Sequence, residues 1–591
     1  MELTKKESND GNFMPEITTN PNSNLKNKAI TRFVLILGIL VLLNIVSSKL
    51  HVRYDATSEK RFSLSEPTKM LLKDLKDVAI IEVYLKGSFP AGFQRLSEAT
   101  GDVLNQFKEY GGSNIRFEFI NPVENKTDKE KSEIFKSFSE KGINFTKLQI
   151  QQDEDEGYSE KIIFPSANVT YNQKEMPVNL LENHISMSPD EKLNYSESQL
   201  EYKLASAIKH LIEPDKKKVA YLVGNGELIG PSTYDMLTTL EKYYDIDTVD
   251  MNENIELPPI YSAAIVCRPT IAFNDKTKFK LDQYVTHGGR LFWMIDALQF
   301  DMDSLKTSSA GLAIDYSLNL DDLLFNYGVR VNPDFIEDYQ QVNPLALTVG
   351  MVDQNPDIRL LPFPYFPYSV SSSKHPIVNN LDAVMFLFAN SIDTIENPEI
   401  RKTILLTSSN RSRRVPAPVR VSLASLQFKP KADMFREKNI PMAVLMEGKF
   451  TSIYTNRLDP KFLDVYKDSL HKEFMSVSEK ENRMIVVSDG NVFQNDFSQS
   501  RGPMECGYYK YTDQLFANKS FILNSVEYLT DNFGLLEARN KDVKLRLLDM
   551  VRIKKERVQW QLFNIGLPII LILIFASAYF FFRKKKYEEK V

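Results

Sequence analysis

The chain has 591 residues, 43% hydrophobic and 26% charged, with a formal net charge of −5. That length exceeds what one hydrophobic core supports and predicts two or more folded domains, while the ordinary composition excludes general disorder and a polytopic transporter. The near-neutral balance offers no basic face for nucleic acid, and two cysteines with six scattered histidines give neither a disulfide framework nor metal-ligand spacing.

Residues 1–28 are rich in Asn, Lys and Thr and read as a polar tail. The first apolar run, 33–46, is broken only by Gly38 and Asn44 and flanked by Arg32 and Lys49, whose stems can snorkel. With Ala29 and Ile30 it becomes long enough to span a membrane, so 29–49 is assigned as a transmembrane helix. The long polar segment before it, and the lack of an A-x-A-like site after it, argue for an anchor rather than a cleaved leader.

Ser65 ahead of Glu66 and Pro67 starts a helix through Leu75. Residues 78–85 alternate as a strand, with Ile81, Val83 and Leu85 on one face. A helix over 93–110 ends at Gly111 and Gly112, and a second strand over 115–120 is closed by Asn121 and Pro122. With weak strands near 161–171 and 176–181, this predicts a small thioredoxin-like α/β domain over 50–190. It has no C-x-x-C and so no redox chemistry. Residues 123–160, acidic at Asp153 to Glu156, read as a solvated surface.

A larger domain is assigned to 191–534, opening with a helix over 194–212 that ends at Pro214. Strands over 218–223, 246–249, 263–267 and 290–295 alternate with helices over 233–244 and 276–287. Strands over 404–407, 442–446 and 484–487 continue the series before a helix over 518–530. The alternation predicts a parallel sheet with helices on both faces. A last helix from Leu535 to Trp560 reads as a stalk (535–562). It leads into an uncharged second span, 563–582, with Pro568 in its first turns and a basic tail, 583–591, behind it. Two spans put both termini on one side. Flanking charges nearly balance, with a lean toward cytoplasmic termini and an exported middle region.

Gly224, Asn225, Gly226 and Glu227 follow one strand and precede a helix, the position where α/β sheets bind ligands. The glycines allow close backbone approach and helix N–H groups attract anions, but the same residues also suit a tight turn. Asp296 and Asp489 end two other strands; they could line the same crevice around a cation or hydroxylated ligand, or cap the helices that follow. These six residues are the ligand-binding candidates. No G-x-x-x-x-G-K-[ST] occurs, which excludes P-loop ATP hydrolysis, and no G-x-S-x-G elbow occurs. Cys267, within Ala-Ala-Ile-Val-Cys and before Arg268 and Pro269, reads as a packed thiol, and Cys506 as a second free thiol. No catalytic residue, cofactor or metal is expected.

Several segments, taken in order, resemble the GldG family, gliding-motility-associated ABC-transporter components of Bacteroidota. They are Lys60-Arg-Phe-Ser-Leu-Ser65, Val83-Tyr-Leu-Lys-Gly87 with Pro90-Ala-Gly-Phe93, Leu200-Glu-Tyr202, Gly224-Asn-Gly-Glu227, Leu281-Asp-Gln-Tyr284 through Gly288-Gly-Arg290 to Trp293-Met-Ile-Asp-Ala297, His375-Pro-Ile-Val378, and Asp489-Gly490. The resemblance implies a separate ABC ATPase, a separate polytopic permease, and a large domain on the periplasmic side of the cytoplasmic membrane. It also implies an amidotransferase-like core without catalysis that binds cargo or envelope partners. Asn225 departs from the His expected in a G-H-G-E turn. A structural scaffold of the motility machinery and a membrane-tethered hydrolase are the alternatives; the hydrolase lacks a recognisable nucleophile–base pair.

Overall fold

The computed structural model describes residues 21–49, 63–143, 145–151, 158–182, 187–213, 215–308, 310–352, 355–428, 430–500, 502–531, 534–540 and 550–588. The acidic cluster 153–156, Pro214 and Lys541 lie outside the described residues. Two units form, Met1–Phe62 and Ser63–Val591.

The first unit holds one helix, Pro21–Lys49. Its apolar stretch, Ile30–Ile45, is about 24 Å long, short of the ~30 Å hydrocarbon layer. Among the described residues, one helix is long and apolar enough to cross a membrane. It is the 30-residue segment Glu556–Lys585, within helix Met550–Glu588, about 45 Å long. That helix begins well before the expected span, so Pro568 sits in its interior rather than in its first turns. The stalk differs from expectation as well: Leu535–Asn540 is a 3₁₀ turn, and the described helix starts at Met550.

Within the second unit, a four-stranded sheet runs in the order Ile115–Phe119, Ala79–Val83, Ser166–Tyr171, Lys174–Asn179. The first pair is parallel and the other two pairs are antiparallel. Local signals set its helices. Ser65 accepts the Thr68 N–H, and reciprocal capping boxes open helices Asp128–Glu140 (Thr127 with Glu130) and Pro189–Ile212 (Ser188 with Glu191). Ile81, Val83 and Val169 pack against Leu96, Leu104 and Phe107 of helix Ala91–Gly111, and against Leu200, Leu204 and Ile208 of helix Pro189–Ile212.

The larger sheet has seven strands in the order Ile400–Thr407, Pro441–Gly448, Asn482–Val487, Leu291–Met294, Tyr261–Cys267, Lys218–Val223, Asp245–Asp250. The last five are mutually parallel. The strands expected at 404–407 and 442–446 do not continue the parallel pattern: they form an antiparallel pair at one edge. Period-two alternation sends Tyr221, Ile265, Phe292 and Ile485 to one face, against Phe521, Ile522 and Val526. Leu222, Val266, Trp293 and Val486 go to the other, against Leu281, Tyr284 and Leu324.

Between Leu291–Met294 and Ile400–Thr407 the chain builds a β-rich insertion that the sequence reading left without elements. Its longest part is the hairpin Val342–Val352 with Asn355–Ser369. Prolines 344, 356, 362, 364 and 367 interrupt that hairpin's pattern and suit strands with a free edge. Phe335, Phe363, Phe366 and Phe388 give the insertion its own core.

Helix Asn518–Thr530 ends beside helix Pro189–Ile212. Lys209 and Asp531, both buried, pair there at 2.7 Å, and the second Asp531 oxygen accepts the Leu535 N–H at 2.9 Å. Removing one partner of such a pair leaves a buried charge uncompensated. Asp531→Ala is expected to lower stability by about 3–5 kcal/mol, read from urea unfolding of the detergent-solubilised chain.

Candidate functional site

The large sheet has a topological switch point. From Lys218–Val223 the chain adds Asp245–Asp250 on one side, then crosses to place Tyr261–Cys267 on the other. In open α/β sheets the crevice above such a pair of carboxyl ends is the default ligand position. Residues 224–227 and 268–272 flank it.

Here the two loops are tied to each other. The Asn225 carbonyl accepts the N–H groups of Thr270 (3.0 Å) and Ile271 (2.9 Å). Its side-chain amide donates to the carbonyls of Ala272 (3.3 Å) and Ile271 (3.5 Å). The Thr270 hydroxyl donates to the Gly226 carbonyl at 3.0 Å. Gly226 has φ +77°, and a Cβ there would lie 2.2 Å from that hydroxyl oxygen. Glycine is therefore required on two counts, conformation and space. Asn252 donates its amide to the Gly224 carbonyl at 2.6 Å. Glu227 folds back to accept the Asn225 N–H at 2.7 Å. Burial pushes the Glu227 carboxyl up to about 6, against the opposing pull of its backbone hydrogen bonds. Asn225 is 2% exposed, and its Oδ1 has no partner among the described residues.

Asp296 and Asp489 lie at the next strand ends, and Asp296 pairs with a residue outside the six candidates. Arg268, at φ +52°, donates from Nε to Asp296 (2.9 Å) and from Nη1 to Gln494 (3.2 Å). The other Asp296 oxygen accepts the Gly490 N–H at 2.6 Å. Asp489 accepts the N–H groups of Leu387 (2.6 Å) and Asn491 (2.8 Å) and caps the turn Gly490–Phe493. Burial pushes both carboxyls above the usual range, and the neighbouring Asp296 charge pushes Asp489 further. Glu227 shares no hydrogen bond with this group among the described residues. The six candidates thus form two assemblies, one closing the switch-point loops and one bracing the strand ends. The only signal for Arg268 was a charged residue placed directly after an apolar strand.

Cys267 is fully buried and donates to the Gly490 carbonyl at 3.7 Å, and burial pushes its thiol up. Both cysteines are free and buried. His375, from the resembling motif, accepts the Ile377 N–H at 3.3 Å, and burial lowers it to about 4. These groups shape turns and fill the core; they do not form a nucleophile–base pair.

A carboxyl raised by burial contributes stability below its unfolded pKa and loses it as pH rises through the folded value. Glu227→Gln is therefore expected to be the more stable form at neutral pH, by up to about 2 kcal/mol. The advantage over wild type should appear in urea melts as pH rises through about 6. Gly226→Ala is expected to cost about 1–3 kcal/mol in the same assay, because its methyl collides with Thr270 in a left-handed backbone.

Residues 58–170 match a domain family of unknown function, DUF7088. No match was found among curated proteins. Solved structures give distant likenesses. The mmIFT52 N-terminal domain is 13% identical, with TM-score 0.28, covering 53% of this chain and 97% of that one. A ThuA-like protein from Parabacteroides merdae is 11% identical, with TM-score 0.21, covering 54% and 91%. An exo-beta-1,4-mannosidase from an Opitutaceae bacterium is 10% identical, with TM-score 0.18, covering 72% and 51%. Residues 216–525, more than half of the chain and nearly the whole large sheet, match the family described as an ABC-type uncharacterized transport system. The chain belongs to that family, ABC_transp_aux, the auxiliary components of ABC-type transport systems.

Proposed function

We propose that this chain is a membrane-anchored, non-ATPase subunit of an ABC-transporter complex of the GldG type, serving gliding motility. Its partners are a separate P-loop ATPase and a polytopic permease. Segments 29–49 and 563–582 are its two spans, both termini are cytoplasmic, and the region between them lies on the periplasmic side, where it binds cargo or envelope partners. The observation that carries this reading is the family match over 216–525 on a chain that also bears the apolar helix Glu556–Lys585.

Two features support a binding role without catalysis. The switch-point crevice is filled by the chain's own Asn225, Thr270 and Glu227, and the nearest thiol, Cys267, is sealed in the core. The strand order and directions of the small sheet support a thioredoxin-like lobe, and the parallel core of the large one supports an amidotransferase-like lobe.

Affinity purification of the C-terminally tagged chain from gently solubilised membranes tests the proposal. A P-loop ATPase and a polytopic membrane protein are expected in stoichiometric amount. Recovery of envelope or motility proteins without them would replace the transporter reading with a scaffold.

A further inference from the structure

A cavity whose lining includes none of the switch-point loop residues lies elsewhere in the second unit. It measures about 430 Å³ and opens between helices Pro189–Ile212 and Asn518–Thr530, with the Leu535–Asn540 turn along its wall. That volume falls in the range of small-molecule sites. Its lining includes buried charge of both signs, and most of that charge is neutralised locally. Lys203 pairs with Glu182 at 2.7 Å, and Lys519 pairs with Asp235 and Glu505 at 2.9 Å each.

Two groups in the wall make no ion pair among the described residues, although the Glu182 charge acts on Arg539 from a greater distance. Arg539 is 5% exposed, yet no carboxylate lies within ion-pair distance of it among the described residues. Its guanidinium donates to the Gln199 carbonyl oxygen (3.3 Å) and the Tyr195 hydroxyl (3.5 Å), and it sits 5.3 Å from the Tyr202 ring centre. Glu527 is 7% exposed. One of its oxygens accepts the Tyr202 hydroxyl, and the other, Oε1, has no partner among the described residues. Tyr202 links the two groups, its ring lying against Arg539 and its hydroxyl bonding Glu527.

Burying an unpaired guanidinium and an unpaired carboxylate oxygen costs several kcal/mol unless something answers them. The two do not pair with each other. A simple anion would satisfy Arg539 but would be repelled by Glu527, and a simple cation would meet the reverse. A planar carboxylate matches the donor fork of arginine, and an ammonium is the strongest donor to a buried carboxylate oxygen. We infer that this cavity binds a small zwitterion, an amino acid or short peptide. Its carboxylate would lie on Arg539 and its ammonium on Glu527 Oε1. Neither residue belongs to the six strand-end candidates, and the inference holds whether or not the complex contains an ATPase.

Titration calorimetry on the full detergent-solubilised chain tests it, with three probes. They are alanylalanine, its anion-only relative N-acetylalanine, and the cation-only alaninamide. Alanylalanine is expected to bind at least about tenfold more tightly than either single-charge probe. Arg539→Gln should weaken it by at least about tenfold while leaving the circular dichroism spectrum unchanged. Should Arg539→Gln fail to fold, Glu527→Gln keeps the Tyr202 contact and gives an independent readout: its preference for alanylalanine over N-acetylalanine should disappear. No heat from alanylalanine up to about 10 mM, or discrimination retained in Glu527→Gln, would overturn the inference.

Discussion

The arrangement of the two sheets turns on one buried carboxylate. Asp531 takes the Lys209 ammonium with one oxygen and the Leu535 N–H with the other. Two regions distant in sequence therefore meet on one side chain: the long helix of the small sheet, and the last helix of the large sheet with the turn that follows it. The surroundings reinforce the joint. Lys217 and Arg290 donate to the carbonyls of Thr530 and Leu529, and Arg483 donates to those of Tyr528 and Asp531. Cations at a helix carboxyl end satisfy orphan carbonyls and complement the helix dipole. Hydrophobic burial holds each sheet together, and Leu535 carries it from the end of the last helix into the core of the small sheet. The polar groups at this joint add directional constraints that tolerate little slippage in a buried setting.

The same logic explains why the switch point reads as a structural lock. A crevice meant for a ligand leaves backbone donors and acceptors facing outward. In this chain the Asn225 carbonyl, the Gly226 carbonyl and the Asn225 N–H are all taken by neighbours within the loops. Asn225 supplies an amide that bridges to the facing loop, at the cost of one unsatisfied oxygen. The paired Asp296 and Arg268, with Asp489 behind them, then fix the turn after Asn482–Val487. A further unmet acceptor, Glu527 Oε1, and the guanidinium of Arg539 lie where elements from both sheets converge.

Local signals made much of the fold legible. Ser65 with Pro67, the strand over 218–223 and the helix over 518–530 each carry their own caps or periodicity, and the structure reproduces them closely. The antiparallel edge was readable in principle. No α-helix, only the short 3₁₀ turns Leu423–Gln427 and Ala432–Met434, separates Ile400–Thr407 from Pro441–Gly448, and parallel neighbours are usually joined through an α-helical crossover. The insertion between Leu291–Met294 and Ile400–Thr407 was not readable, because its prolines erase the period-two pattern that its cross-strand pairing does not require. At the candidate site the strand-end positions were visible, since they follow apolar runs. The partner choices were not. Asp296 bonding Arg268, and Tyr202 bonding Glu527 across a separation of 325 positions, are products of tertiary packing. No spacing rule encodes them.

The Leu535–Asn540 turn also sets a leash. It is pinned to the soluble core through Asp531 and Arg539, and the apolar C-terminal helix is under way by Met550. Whatever path the chain takes, ten residues reach at most about 36 Å. The six helical residues ahead of Glu556 add about 9 Å, so the tether bounds the distance between the core and that apolar segment at about 45 Å, and a displacement of the helix pulls on the core once that length is drawn taut.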